Sequence, residues 1–392
     1  MRKITSWLAV ASLSFSAFIF NTTELAPVGL LTAISDDFNM DSAYTGYMVT
    51  IYAWTVAALS LPLTVLTAKI ERKRLLTALF IVFIASHLLI GAAQSFEVLI
   101  VGRLGVACAH AIFWSITVPL AVRLAPEESK SKAIGALVAG GSVAMVLGVP
   151  IGTAIGQAFG WRVTFFIIAA IALLALLAIT KLLPALPCHN AGNFKSLPIL
   201  FKRASVVWIY VLIAVIVTGE FTAYTYIGAF LEAKGYERSV VAWLLLVGGG
   251  AGLLSSYLFG LWGDRFANLT LIVPLALLAA MLALLEASAI NIYAVFFLSF
   301  AWGLFVVMIF MSLQSRLLSA AKDAADVANA IYSGIFNVGI GGGAYVGSLV
   351  SLSFSVSFVG YAGSLIVCFG LALCAAYLTR VSQKSAFLHH SR

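Results

Sequence analysis

The feature that most limits what this chain can become is a series of apolar runs, each near the ~20 residues a helix needs to cross a bilayer. Twelve can be marked along the 392 residues: roughly 7–34, 44–67, 75–93, 97–123, 132–156 and 162–183, then 205–231, 239–262, 269–288, 290–316, 326–350 and 356–379. The chain is 62% hydrophobic and only 10% charged, whereas soluble domains carry about 25% charged residues. An all-α membrane protein with twelve transmembrane helices is expected. Arg2 and Lys3 ahead of the first run imitate a signal peptide. The run continues past Pro27 to about Ile34, too long for such a segment, and reads as a retained first span.

Residues 184–204, with Pro184, Pro187 and Pro198, form the one plausible linker. We expect two pseudo-symmetric six-helix bundles, 1–183 and 205–392, joined by that cytoplasmic linker, the second ending in a short cytoplasmic tail. Lys and Arg set the orientation. With the N-terminus in the cytoplasm, only Arg162, Lys234 and Arg238 of the 23 Lys and Arg fall outside. Arg103 lies within a span and the remaining nineteen fall inside. The net charge of +8 is therefore a topology signal and not a nucleic-acid footprint. The halves also repeat. Thr22-x-Glu24 returns 196 residues on as Thr218-x-Glu220, and Thr64–Leu75 aligns with Gly260–Leu271 at the same offset. Gly148 and Gly152 align with Gly343 and Gly347 at offset 195. A parallel repeat of this kind places a solute site between the halves near the midplane.

Glu24 is the only charged residue between Lys3 and Asp36. On a helix it shares a face with Asn21 at i, i+3. Pro27 has no N–H to give, so the Thr23 carbonyl loses its helical partner. An ionisable residue in such a polar patch within hydrocarbon marks a functional site, the bland alternative being a snorkelling glutamate near a helix end. In the fourth run Arg103, Ala107, His110 and Trp114 fall at i, i+4, i+7 and i+11, one helical stripe. Arg103 lies at a depth similar to Glu24, so a Glu–Arg pair would neutralise both. His110, of a residue type that titrates near neutrality, would sense the same field. Glu24, Arg103 and His110 are the candidate proton-coupling set. His87, alone in the third run, reads as a core imidazole.

Candidate solute-binding residues are Asn21, Tyr47 and Trp54 at i, i+7, Trp114, Glu220 and Tyr224 at i, i+4, Tyr332 and Asn337. Aromatic faces with a few amides and carboxylates suit a small polar ligand. Candidate conformational residues are Arg72, Gly148, Pro150, Gly152, Asp264 and Arg265. The first belongs to the loop after span two, the middle three to a Gly-x-Pro-x-Gly in span five. The last two belong to Gly260-Leu261-Trp262-Gly263-Asp264-Arg265, whose earlier copy carries Ala68 where Asp264 stands. Small residues four apart let helices pack closely, with a hinge expected around Pro150. Cys108, Cys188, Cys368 and Cys374 show no metal or redox spacing. No phosphate-loop pattern accompanies these motifs. Gly339-x-Gly341-x-x-Ala344 matches a dinucleotide fingerprint by letters alone, inside an apolar run. No enzyme activity, cofactor or metal is expected.

At Gly260–Arg265, at the Gly-x-Pro-x-Gly of span five and at Gly160-Trp161-Arg162-Val163-Thr164-Phe165-Phe166, the chain resembles the major facilitator superfamily, drug:H+ antiporter-1 branch. At 20–31, 51–54, 110–117 and 333–337 it resembles the sugar efflux transporter B group of bacterial exporters of arabinose and similar sugars. The resemblance implies an inner-membrane transporter exporting a sugar or sugar-like inducer against protons; the charge count puts both termini in the cytoplasm, and a monomer is expected. The proton gradient is then its energy source. Multidrug or nucleoside export on the same scaffold is the first alternative, and a non-transporting membrane sensor the second.

Overall fold

The computed structural model describes residues 3–126, 130–186, 197–263, 265–321 and 325–390. Twelve stretches among them are helical, long and apolar enough to cross a membrane. Spans one to six are Ser6–Asp37, Ser42–Leu66, Arg72–Gly91, Phe96–Leu124, Lys132–Phe159 and Trp161–Leu182. Spans seven to twelve are Ala204–Ala233, Ser239–Trp262, Leu269–Ser288, Ile292–Ala320, Val327–Ser353 and Val356–Thr379. The expected all-α, twelve-span architecture is the one found. Such helices satisfy every backbone group within the segment, which hydrocarbon demands.

The chain forms two compact units. One holds residues 1–193 with 227–246, the other 194–226 with 247–392. The C-terminal end of span seven and the start of span eight thus pack with the N-terminal helices. Span seven is interrupted where the chain passes between units: one helix ends at Tyr224 and the next begins at Ile227. The repeat read from three short motifs is also a repeat of packing. In the first unit span one packs on five and six, and span three on four and six. In the second, span seven packs on eleven and twelve, and span nine on ten and twelve.

Glycines set the closest approaches. A Cβ on Gly140 would lie 2.1 Å from the Ser14 carbonyl oxygen, and one on Gly148 would lie 2.1 Å from Thr22 Oγ1. Span five is therefore pressed against span one along the small-residue face, as its sequence predicts. Pro150 cannot donate to the carbonyl four residues back. The helix responds with one π turn over Ala144–Gly148, immediately before the proline. Gly160, at φ +93°, joins spans five and six in a conformation that side chains rarely adopt.

Candidate functional site

Pro27 sits inside an unbroken helix, Lys3–Asp37, so the Thr23 carbonyl is left without its helical N–H. That carbonyl accepts a hydrogen bond from Arg103 Nη1 at 3.0 Å. The vacancy predicted from the proline is filled by Arg103, a cation buried within span four. Arg103 is fully buried, its guanidinium carbon 3.9 Å from the Tyr52 ring centre. Its Nε and Nη2 have no hydrogen-bond partner among the described residues. A buried guanidinium with two open valences is costly unless an anion or water completes it.

The Tyr52 hydroxyl lies 2.8 Å from His110 Nδ1. His110 Nε2 in turn stands 3.8 Å from Glu24 Oε2. Glu24 and Arg103 do not form a direct ion pair among the described residues; Tyr52 and His110 lie between them in the chain of contacts. Phe20 and Phe113 stack at 4.0 Å, and Phe20 stands 5.9 Å from the His110 ring, so one side of this cluster is apolar. The whole arrangement lies within the first unit. His110 stands beside Glu24, but the expected Glu24–Arg103 pair is replaced by contacts of Arg103 with the Thr23 carbonyl and the Tyr52 ring. Tyr52, which joins Arg103 to His110, was not among the candidates.

The other first-unit candidates are more dispersed. Asn21 faces span five, its Nδ2 2.5 Å from where a Gly141 Cβ would be. Trp114 lies 6.3 Å from His110, ring to ring. Tyr47 stands 6.3 Å from Tyr44, and Trp54 is 43% exposed. Tyr52, on the buried face of the same helix, is 1% exposed.

A second polar cluster lies in the second unit. Glu220 is buried, and its Oε2 has no hydrogen-bond partner among the described residues. The indole N–H of Trp302 lies near this carboxyl but makes no hydrogen bond among the described residues. Tyr224 packs edge-on against Trp302 at 6.0 Å and against Phe221 at 5.4 Å. Asn337 donates to the Ser333 carbonyl at 3.1 Å and leaves its Oδ1 open. The Tyr332 hydroxyl is committed to the Phe310 carbonyl at 3.3 Å. Trp302, like Tyr52, was not singled out, because both stand in runs that are apolar on every face.

The polar ends of the spans are tied down separately. Arg162 pairs with Asp37 at 2.7 Å and donates to the Ala93 carbonyl at 2.8 Å. Arg238 pairs with Asp36 and, at 3.1 Å, with Glu232, while its carbonyl accepts from Gln157 at 2.6 Å. Two of the three cations that the charge count leaves outside are thus neutralised by neighbouring acids of span one. At the start of span three, Arg72 turns back to the carbonyls of Thr67 and Ala68, at 3.3 and 3.4 Å. Beside it, Glu71 accepts from the backbone N–H groups of Lys73, Arg74 and Leu186, at 3.0, 2.8 and 2.6 Å. Partial burial pushes the Glu71 carboxyl up, but those three bonds and the Arg74 charge outweigh it and hold it below the usual carboxylate range. Of the second loop, Asp264 lies outside the described residues, and Arg265 stands 5.2 Å from the Phe266 ring centre. Arg316 reaches the Ala267 carbonyl and Asn268 Oδ1 at 2.7 and 2.8 Å.

The sequence profile of the Major Facilitator Superfamily matches residues 10–333. The fold is similar to the crystal structure of a bacterial homolog to the human lysosomal transporter Spinster, in an inward-facing and unoccupied conformation. The TM-score is 0.73 over 97% of this chain and 95% of that one, at 14% sequence identity, a likeness of fold alone. The chain belongs to the Major Facilitator Superfamily and is a multi-pass secondary transporter that carries a small solute by alternating access.

Proposed function

We propose that this transporter exports a small polar solute, a sugar or sugar-like inducer, from the bacterial cytoplasm in exchange for inward protons. The observation that carries the coupling is the contact chain from Glu24 through His110 and Tyr52 to Arg103 inside a membrane unit. Ionisable groups at such depth are expensive and are retained where protons or ions move. Glu24 takes the proton. Arg103 and His110 set how tightly it is held, since a nearby cation favours the charged carboxylate and burial favours the neutral one. The solute meets Glu220, Tyr224 and Asn337, where a donor-and-acceptor hydroxyl satisfies the atoms now left open. In the same unit Tyr332 supplies further aromatic surface, and in the first unit Asn21, Tyr47, Trp54 and Trp114 are the candidates for solute contact. The working form is a monomer in the inner membrane with both termini cytoplasmic. The sugar assignment rests on the resemblance of the sequence stretches given above. One observation favours a second reading, export of lipophilic cations: a buried carboxylate oxygen without a partner, on Glu220, is also what a cationic drug would seek.

The test is flux in proteoliposomes over a panel containing arabinose, other sugars, nucleosides and lipophilic cations, with and without a pH gradient. Glu24→Gln should abolish gradient-driven export and spare solute exchange. Glu220→Gln should weaken solute binding and leave pH-dependent switching. Full gradient-driven export by Glu24→Gln, or the reverse pair of phenotypes, overturns the assignment. Flux of cations alone moves the protein to the second reading.

A further inference from the structure

His87, read from sequence as a core imidazole, stands at a junction. It is fully buried, packed at 4.1 Å against the Phe83 ring and at 6.1 Å against Phe165. Its Nδ1 lies 2.7 Å from the Phe83 carbonyl, which can only accept. The ring proton is therefore on Nδ1, and Nε2 is the acceptor of the bond from Thr23 Oγ1 at 2.6 Å. A hydroxyl on a helix ordinarily turns back to the carbonyl four residues earlier. Thr22 does so, to Phe18 at 2.8 Å, and so do Ser16 and Thr153. Thr23 instead points across to span three. Its own carbonyl, freed by Pro27, is the one that holds Arg103.

Thr23 is thus gripped on both sides, by His87 at the hydroxyl and by Arg103 at the carbonyl. The spacing between the two grips is fixed by the helices that carry them. A Cβ on Gly102 would lie 2.5 Å from Ile90 Cγ1, and one on Gly105 would lie 2.2 Å from Ser86 Oγ. Spans three and four are therefore in close contact on both sides of Arg103 along the chain and on both sides of His87. From this geometry we infer that His87 is a positioning residue. Through Thr23 it fixes the carbonyl that docks Arg103, and so sets how strongly the guanidinium acts on the proton site. The inference rests on the coupling role proposed for Glu24. The titratable and charged groups around the junction are Arg103, Tyr52, His110 and Glu24, and all belong to the same unit.

Three variants test it in proteoliposomes: His87→Phe, which keeps the ring and removes the acceptor; His87→Gln, which can restore an acceptor; and Thr23→Val, which removes only the hydroxyl. The readout is the pH midpoint of arabinose counterflow, or of the best-transported member of the solute panel, measured beside thermal unfolding in detergent. A carboxylate released from its cation keeps its proton to higher pH, so His87→Phe and Thr23→Val should both move the midpoint upward by about 0.5–1 pH unit. His87→Gln should return most of the way to wild type. A purely packing role predicts that the folded Thr23→Val protein, nearly isosteric with the parent, keeps the parent midpoint; that result overturns the inference even if His87→Phe does not fold. Glu24→Gln, run alongside, separates the two claims. If it abolishes the pH dependence while Thr23→Val does not shift it, the positioning role fails and the coupling reading stands. If Glu24→Gln keeps the pH dependence, the coupling reading fails, and the positioning role fails with it.

Discussion

Pro27→Ala puts the local argument at its sharpest, because one substitution should raise stability and lower function together. Proline in a helix interior costs ~3 kcal/mol relative to alanine. Here the helix runs unbroken from Lys3 to Asp37, so alanine can occupy position 27 without rebuilding the backbone. Its new N–H faces the Thr23 carbonyl, which now accepts from Arg103 at 3.0 Å. A hydrogen bond to a charged donor is worth ~1.5–3 kcal/mol, and sharing the acceptor with a well-aligned helical N–H forfeits part of it. Losing ~1.4 kcal/mol of that contact is a tenfold change in any equilibrium it controls. The variant should therefore unfold in detergent at higher temperature, with ~1–3 kcal/mol of added stability after the weakened Arg103 contact is deducted. Gradient-driven flux in proteoliposomes should fall about tenfold while solute exchange stays near normal. Pro62→Ala is the control, since Pro62 also lies inside a span but frees the carbonyl of Ala58, away from this cluster. A Pro27→Ala protein that is less stable than its parent, or that exports at the full rate under a pH gradient, refutes the reasoning.

Two further outcomes follow from contacts elsewhere in the first unit. Gly140→Ala drives a Cβ to 2.1 Å from a backbone oxygen that cannot rotate away, so overpacking should cost ~1–3 kcal/mol. Gly135→Ala, with nothing within 4 Å of its Cβ, should gain up to ~1 kcal/mol, and equal unfolding temperatures for the two would dismiss glycine-mediated packing of spans one and five. Glu71, whose carboxyl is held below its ordinary range, contributes its tie to Leu186 above that ordinary value and loses it as pH falls through the lowered one. Protection of the Leu186 amide should accordingly drop below about pH 4.5 and at all pH values in Glu71→Ala, which removes the acceptor; unchanged protection in that variant would remove Glu71 as the anchor.

What could be read from the letters was whatever hydropathy or covalent chemistry dictates directly. Twelve apolar runs became twelve spans, with ends shifted by a few residues. Pro27 announced an open carbonyl, and the structure closes it with Arg103. The glycines of span five announced close packing, and Ser14 and Thr22 supply the opposing surface. What escaped was which face of each helix turns inward. In a soluble helix polar residues mark the outer face, but spans two, three and ten are apolar all round, and such helices give no amphipathic signal. Spacing therefore selected Tyr47 and Trp54, while Tyr52 is the tyrosine turned into the cluster. His87 and Trp302 were passed over for the same reason. Glu71 was obscured differently, since the repeat aligns Asp264 with Ala68 and gives no sign of the acid three residues later.

The two units keep the same helix pairings but not the same chemistry, and the differences fall on one network. At the offset of 196, Thr23 becomes Gly219, Pro27 becomes Ala223, Tyr52 becomes Gly248 and His87 becomes Ala283, while Arg103 and His110 become Ser299 and Val306. Only the carboxylate survives, as Glu220. The replacements have packing reasons. A Cβ on Gly219 would lie 2.7 Å from Val367 Cγ2, and one on Gly303 would lie 1.9 Å from the Gly248 carbonyl oxygen. Spans seven and twelve, and spans eight and ten, approach too closely there for the larger side chains of the first unit. Ala223 restores the N–H that Pro27 lacks, so the Gly219 carbonyl keeps a helical donor and offers no dock for a cation. A second copy of the proton network cannot be placed in that unit without opening its helix contacts. The acid there faces Trp302 and Tyr224 with open hydrogen-bonding valences, a setting for hydroxyls more than for a titrating pair. The division of labour proposed for Glu24 and Glu220 thus follows from how tightly each unit is packed, and not from the two glutamates themselves.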